Sequence, residues 1–278
     1  KQKTAYEIGV RLVGSEMCIR DRSIGSFVNT VADRLPRGES LTYPRSYCLA
    51  CKESIPRRHL LPVISYIYLR ARCGACGANI PTRVIVIEIL TGLLVAYAHH
   101  REPETLVFLA ATLGIAILLA IAVIDLENRL ILNRIIVVGT GAFLLMAPFW
   151  AVIGNERTFL GENTLFASLS NSILAAALAF LFFFLIRLSF PRGIGGGDEK
   201  MALLLGLMLG MSGALTALLC AIFAGGIVAS VLLLSGRRGR KDEIPYGPFL
   251  ALGGIVSLLT DADVLAASSS VVSGLVGF

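Results

Sequence analysis

The sequence predicts an all-α, polytopic membrane protein, a bundle of about seven to eight transmembrane helices carrying a small cysteine-bearing domain on its cytoplasmic side. Three observations predict it. Apolar residues make up 55% of the 278 residues and charged residues only 16%, with mean hydropathy +0.76. A soluble domain carries about 25% charge. Long apolar runs recur from residue 84 onward, several near the ~20 residues that cross ~30 Å of hydrocarbon. Basic residues gather before the first run and at later helix ends (Arg187, Arg192, Lys200, Arg237, Arg238, Arg240, Lys241), as the positive-inside rule expects of cytoplasmic segments.

Residues 1–22 stand apart. They are too polar to span a bilayer, lack the basic-then-apolar layout of a signal peptide and begin without Met. They read as a non-native head, similar to translated sequencing-adapter read-through, or as a short disordered tail. No function is drawn from them, including from Cys18. Residues 23–83 follow as a polar cytoplasmic domain with nine Lys/Arg against three acids (Asp33, Glu39, Glu53). The net charge of +6 comes with no aromatic-interleaved basic face, which argues against nucleic acid as a partner; the partner is the lipid bilayer.

Residues 84–278 form the transmembrane domain, with spans expected at 84–98, 105–124, 135–153, 164–186, 199–211, 214–235, 246–260 and 264–278. The 199–211 run is short enough for a half-helix or re-entrant segment, with a break near Met211-Ser212-Gly213. With 23–83 cytoplasmic, parity returns the 125–134, 187–198 and 236–245 connectors to the cytoplasmic side. Asp125 and Asp198 then fall on one face of a multi-pass membrane protein, each at a helix end.

Four cysteines form Cys48-x-x-Cys51 and Cys73-x-x-Cys76, separated by 21 residues. Each pair makes a tight turn that delivers two thiolates to one tetrahedral ion, so the pattern reads as structural zinc. Gly74 and Gly77 suit the backbone of such knuckles. A cytoplasmic location disfavours disulfides, and a domain of about 60 residues gains from a metal staple because its own core is thin. Cys220, inside an apolar run, reads as a small buried residue.

Asp125 closes an apolar helix. Asp198 follows Gly195-Gly196-Gly197 and opens another. A carboxylate at the rim of a bundle is costly to desolvate and needs a partner, water access or a chemical role. Two on one side can share a proton, one activating water while the other donates to a carbonyl oxygen. The plainer alternatives are that Asp198 and Glu199 cap a helix N-terminus and that Asp125 is an interfacial charge near Arg129.

The full set of motifs is more specific. Gly25-Ser26-Phe27-Val28-Asn29 leading to Arg34-Leu35-Pro36, the cysteine tetrad with Pro62-Val63-Ile64-Ser65-Tyr66 between its halves, Glu88-Ile89-Leu90-Thr91-Gly92, Asp125, Gly195-Gly196-Gly197-Asp198 and Tyr246-Gly247-Pro248-Phe249 occur in one order. From residue 23 to about 260 the chain resembles the type IV prepilin peptidase family, membrane aspartyl proteases of the GxGD type. The resemblance implies cleavage of the basic leader of type IV prepilins or type II secretion pseudopilins, with Asp125 and Asp198 as the catalytic pair. It also implies N-methylation of the new N-terminus with S-adenosylmethionine, whose site shows no glycine-rich fingerprint here.

Two departures stand out. Similar proteins carry Ile-Pro-Asn where this chain has Ile131-Leu132-Asn133, so the turn is expected to differ slightly. They also begin with an apolar helix running into the Gly-Ser-Phe motif, which the head replaces.

Lys200 reads as a contact for an acidic substrate side chain or as an interfacial anchor. Glu88 reads as a partner of Arg83 or as a lining residue. His59, His99 and His100 have no ligand spacing. Gly247-Pro248 reads as a turn into a helix. The competing reading from another class is a non-enzymatic membrane scaffold or transporter with a zinc-ribbon docking module.

Overall fold

The computed structural model describes residues 24–43, 46–48, 50–56, 63–101, 105–151, 164–189, 195–236 and 244–260. The head and the expected 264–278 span lie outside these. Among the described residues the chain is helical, with two isolated β-bridges, Tyr47 to Ser54 and Arg72 to Asn79. The helices are α1 (24–34), α2 (Ile64–Tyr68), α3 (Thr82–Arg101), α4 (Thr105–Asn128), α5 (Asn133–Met146), α6 (Leu165–Ser189), α7 (Gly196–Leu234) and α8 (Gly247–Thr260). Among the described residues, five segments (α3, α4, α5 with its continuation to Trp150, α6 and α7) are long and apolar enough to cross a membrane. Many of their large side chains point outward, Leu109, Leu145, Leu181 and Phe223 among them, as a lipid-facing surface requires.

The chain divides into two compact units. The first comprises Lys1–Pro103 and Ala111–Ala120, the second Glu104–Ala110 and Ile121–Phe278.

In the first unit α1 ends in a single 3-10 turn, Leu35–Arg37, closed by Gly38 in the left-handed conformation. Arg34 ties the following loop by donating to the Ser40 and Leu41 carbonyls at 2.9 and 3.4 Å. Helix α1 packs antiparallel on α3. A Cβ on Gly25 would sit 2.8 Å from Glu88 Cα, so only glycine allows this approach. One turn on, Asn29 Nδ2 donates to the Gly25 and Val84 carbonyls at 3.2 and 3.1 Å. One turn further, Arg83 pairs with Asp33 at 2.7 Å. Asp33, not Glu88, is the acid that Arg83 meets.

In the second unit α7 is the central element, packed against α6, α8 and α5. Its 39 residues would measure about 58 Å if straight, but Gly210 breaks it with φ 70° and ψ −170°. The break falls one residue before the expected Met211–Gly213 stretch, which is itself helical. The chain doubles back there. Tyr246 packs on Phe183 at 5.9 Å between ring centroids, and one turn beyond Phe183, Arg187 meets Glu199 at the start of α7. A Cβ on Gly225 would lie 3.2 Å from the same Tyr246 ring. Residues 199 and 225 therefore share one level, which a straight helix would separate by roughly 39 Å.

The inner limb, 196–209, is thus the short half-helix expected of the 199–211 run. Small residues let the limbs close on their neighbours: Gly206 abuts the Ala176 backbone, and Gly253 abuts the Ala217 carbonyl. Ser257 Oγ donates to the Gly213 carbonyl at 2.9 Å.

Candidate active site and metal cluster

Asp125 sits in the last turn of α4, 6% exposed. A carboxylate at a helix C-terminus meets the negative end of the dipole, a penalty of about 0.3–1 kcal/mol. The fold compensates from another helix. Asp125 Oδ2 accepts the Gly247 N–H at 3.0 Å, and Gly247 opens α8, whose first-turn N–H groups have no partner inside their own helix. A Cβ on Gly247 would fall 2.6 Å from Asp125 Oδ2; no side chain is compatible with that bond. The Tyr-Gly-Pro-Phe motif, which on its residues alone reads as a turn, is the seat of the Asp125 carboxylate.

Asp198 lies in the first turn of α7, 7% exposed. Its Oδ2 accepts the Gly195 N–H at 3.1 Å, while its own N–H donates to the Gly195 carbonyl at 3.2 Å. The capping reading of Asp198 thus describes its local bonding. Both aspartates rest on backbone donors at helix N-termini.

The turn after Asp125 docks on the glycine run before Asp198. A Cβ on Gly197 would stand 2.7 Å from Ile131 Cβ, so glycine admits the α4–α5 connector here. Lys200 Nζ donates to Asn133 Oδ1 at 2.9 Å, locking the same two segments. Asp125 and Asp198 fall within electrostatic reach of each other, and Tyr246 within reach of Asp198. Leu132 adopts φ −76°, close to the value a proline imposes, so the backbone at this position is one that a proline could adopt.

Glu199, 5% exposed, pairs with Arg187 Nε at 3.2 Å. Sequence reasoning read Arg187 only as a helix-end charge. A pairing across a connector carries no sequence periodicity, so nothing in the spacing signalled it. Glu88, also 5% exposed, belongs to the first unit and accepts the Val63 N–H at 2.8 Å. Val63 holds φ 61°, an outlier for a β-branched residue.

The four cysteines converge, with every Sγ within 4.8 Å of the others and Cys48 to Cys76 at 3.9 Å. A tetrahedral zinc site with Zn–S of about 2.3 Å needs S···S near 3.8 Å, so the cluster has the shape of such a site. The two knuckles repeat one geometry. Lys52 N–H donates to the Cys48 carbonyl at 2.8 Å, and Gly77 N–H to the Cys73 carbonyl at 2.9 Å. Both closing residues are left-handed, Lys52 at φ 61° and Gly77 at φ 71°. Gly74 is not among the positive-φ glycines; only Gly77 uses the freedom expected of the pair. The backbone N–H groups of Cys51 and Ala50 pull the Cys48 thiol down to about 6, while desolvation and the hydrogen bonds to Cys76 and Cys48 push Cys51 up to about 11, so Cys48 carries the readiest thiolate of the cluster.

Residues 22–101 match the family described as the Bacterial Peptidase A24 N-terminal domain, and residues 112–230 match the Type IV leader peptidase family. The chain is 30% identical over 243 residues to a prepilin leader peptidase/N-methyltransferase of Bacillus subtilis, covering 87% of this chain and 92% of that one. It is 33% identical over 231 residues to the protein of that name in Burkholderia pseudomallei, covering 81% of this chain and 70% of the relative. A third, from Aeromonas hydrophila, is 30% identical over 266 residues, covering 85% and 87%. No solved structure matches the chain.

Proposed function

Because the chain belongs to the type IV leader peptidase family and is therefore a peptidase, we propose that it cuts the leader from prepilins or pseudopilins at the cytoplasmic face of the bacterial inner membrane. The reading makes Asp125 and Asp198 the catalytic pair. The observation that carries it is the seating of both buried carboxylates on backbone donors at helix starts, Asp125 on Gly247 and Asp198 on Gly195.

One carboxylate takes a proton from water as the water oxygen bonds to the scissile carbonyl carbon. The other, protonated, donates to the carbonyl oxygen. Collapse of the tetrahedral species breaks the C–N bond and hands a proton to the leaving amine. The two groups titrate as a unit, so the roles belong to the pair. Structural zinc on Cys48, Cys51, Cys73 and Cys76 holds the knuckles of the first unit.

The enzyme then methylates the amine exposed by cleavage. S-adenosylmethionine would supply a sulfonium-bound methyl group: the neutral amine would bond to the methyl carbon, the C–S electron pair would leave on the sulfur of S-adenosylhomocysteine, and the amine would give up a proton. Co-expression with a prepilin tests the peptidase. Asp125→Asn and Asp198→Asn should each leave the precursor at full length on a gel; processing by either variant at the wild-type rate would remove the two-aspartate reading.

A further inference from the structure

A cavity of about 810 Å³ opens in the first unit, walled by α1, α3 and both cysteine knuckles. That volume is in the range of sites that enclose a cofactor-sized molecule. The peptidase reading leaves it without a role, and three features of its wall describe the occupant.

Asn29 lines the cavity and is 5% exposed. Its Nδ2 is held by two carbonyls, which fixes the orientation of the amide, yet its Oδ1 is buried with no hydrogen-bond partner. A buried unmet acceptor is costly and calls for a donor. Glu88 also lines the cavity. Its carboxylate has the Val63 N–H and no cationic partner among the described residues, Arg83 being engaged by Asp33. A buried anion without a counter-charge favours a cation. Tyr47 and Tyr66 contribute aromatic surface to the wall. Tyr66 is anchored through its hydroxyl to the Ile80 carbonyl at 3.5 Å, and the Tyr47 ring is backed by Arg34 and Lys52.

A ligand with a flat heteroaromatic ring, hydrogen-bond donors and a positive centre answers all three. We infer that this cavity is the S-adenosylmethionine site, with Glu88 facing the cationic end and Asn29 Oδ1 accepting from an N–H or O–H of the cofactor. The inference rests on the methyl-transfer reading above and adds the place where the cofactor binds. The strain at Val63 then has a purpose. Its positive-φ backbone aims an N–H at Glu88, holding that carboxylate against the wall.

The test is equilibrium dialysis of the full-length, detergent-solubilised protein with radiolabelled S-adenosylmethionine and, separately, with S-adenosylhomocysteine, which lacks the sulfonium charge. Glu88→Gln should weaken S-adenosylmethionine at least about ten-fold and S-adenosylhomocysteine distinctly less. Asn29→Leu should weaken both alike. About one zinc per chain by elemental analysis of the same preparations certifies that the first unit is folded. If either variant fails to fold, ultraviolet cross-linking of the labelled cofactor to the wild-type chain, read by peptide mapping, should mark the segments holding Tyr47 or Tyr66. No binding by the wild-type protein would sink both this site and the methyl-transfer reading. Binding indifferent to Glu88 and Asn29, or cross-links confined to the second unit, would overturn the site alone.

Discussion

At the scale of single residues, the chemistry depends on where glycine stands. Gly247 brings a backbone N–H against Asp125 with no room for a methyl group. Gly247→Ala is expected to cut the initial cleavage rate in membranes at least about 100-fold, since loss of a preorganised donor to a reacting group costs 10²–10³. Protein level on an immunoblot should not change. An unaltered rate would show that the bond serves packing only. The Arg187–Glu199 pair predicts a different pattern. Arg187→Met strands a buried carboxylate and should lower the melting midpoint in detergent, while adding Glu199→Met should recover much of the loss. Of these residues, Asp125 and Asp198 could be picked out from the chain because a charge interrupting an apolar run is conspicuous. Glu88 was equally conspicuous, yet its contact was not legible: Arg83 is close in sequence, but Asp33 on α1 lies nearer to it in space.

At the scale of elements, long apolar runs identified helices α3 to α8 within a few residues, whereas α1 and α2 lie in the segment read only as a polar domain. The bend inside α7 was harder to place. Several glycines crowd that stretch, and composition cannot distinguish one that bends the chain from one that seats a neighbour. Gly210 bends it, and Gly213 instead receives Ser257. Gly210→Ala forces a side chain to positive φ and should destabilise the hairpin by about 1–2 kcal/mol, read as a lowered unfolding midpoint. The connector after α4 predicts the opposite sign. With Leu132 already at φ −76°, Leu132→Pro should leave cleavage intact and add about 0.4–1 kcal/mol by restricting the unfolded chain. A loss of activity there would mean that the Leu132 N–H or the preceding residue cannot accept proline.

At the scale of the whole molecule, the aspartates belong to the second unit and the cysteines to the first. The cysteine spacing was the most legible feature of the chain, because a tetrahedral ion imposes a local pattern that needs no tertiary knowledge. The cavity beside it was not legible, since its wall draws on residues from 26 to 88 whose types recur everywhere. Purified protein should carry about one zinc per chain by elemental analysis, and replacing all four cysteines by serine should abolish it. The same variant should lose S-adenosylmethionine binding, as the knuckles wall the cavity, while prepilin cleavage persists.

The hydrogen bond from Gly247 to Asp125 bridges 122 positions of sequence, and this sets a schedule for the ribosome. A growing chain inserts its helices in the order they are made, so the first aspartate enters the bilayer long before its seat exists. Nascent chains arrested short of residue 247 should be inert towards leader peptides, and competence should arise in one step once α8 joins the bundle.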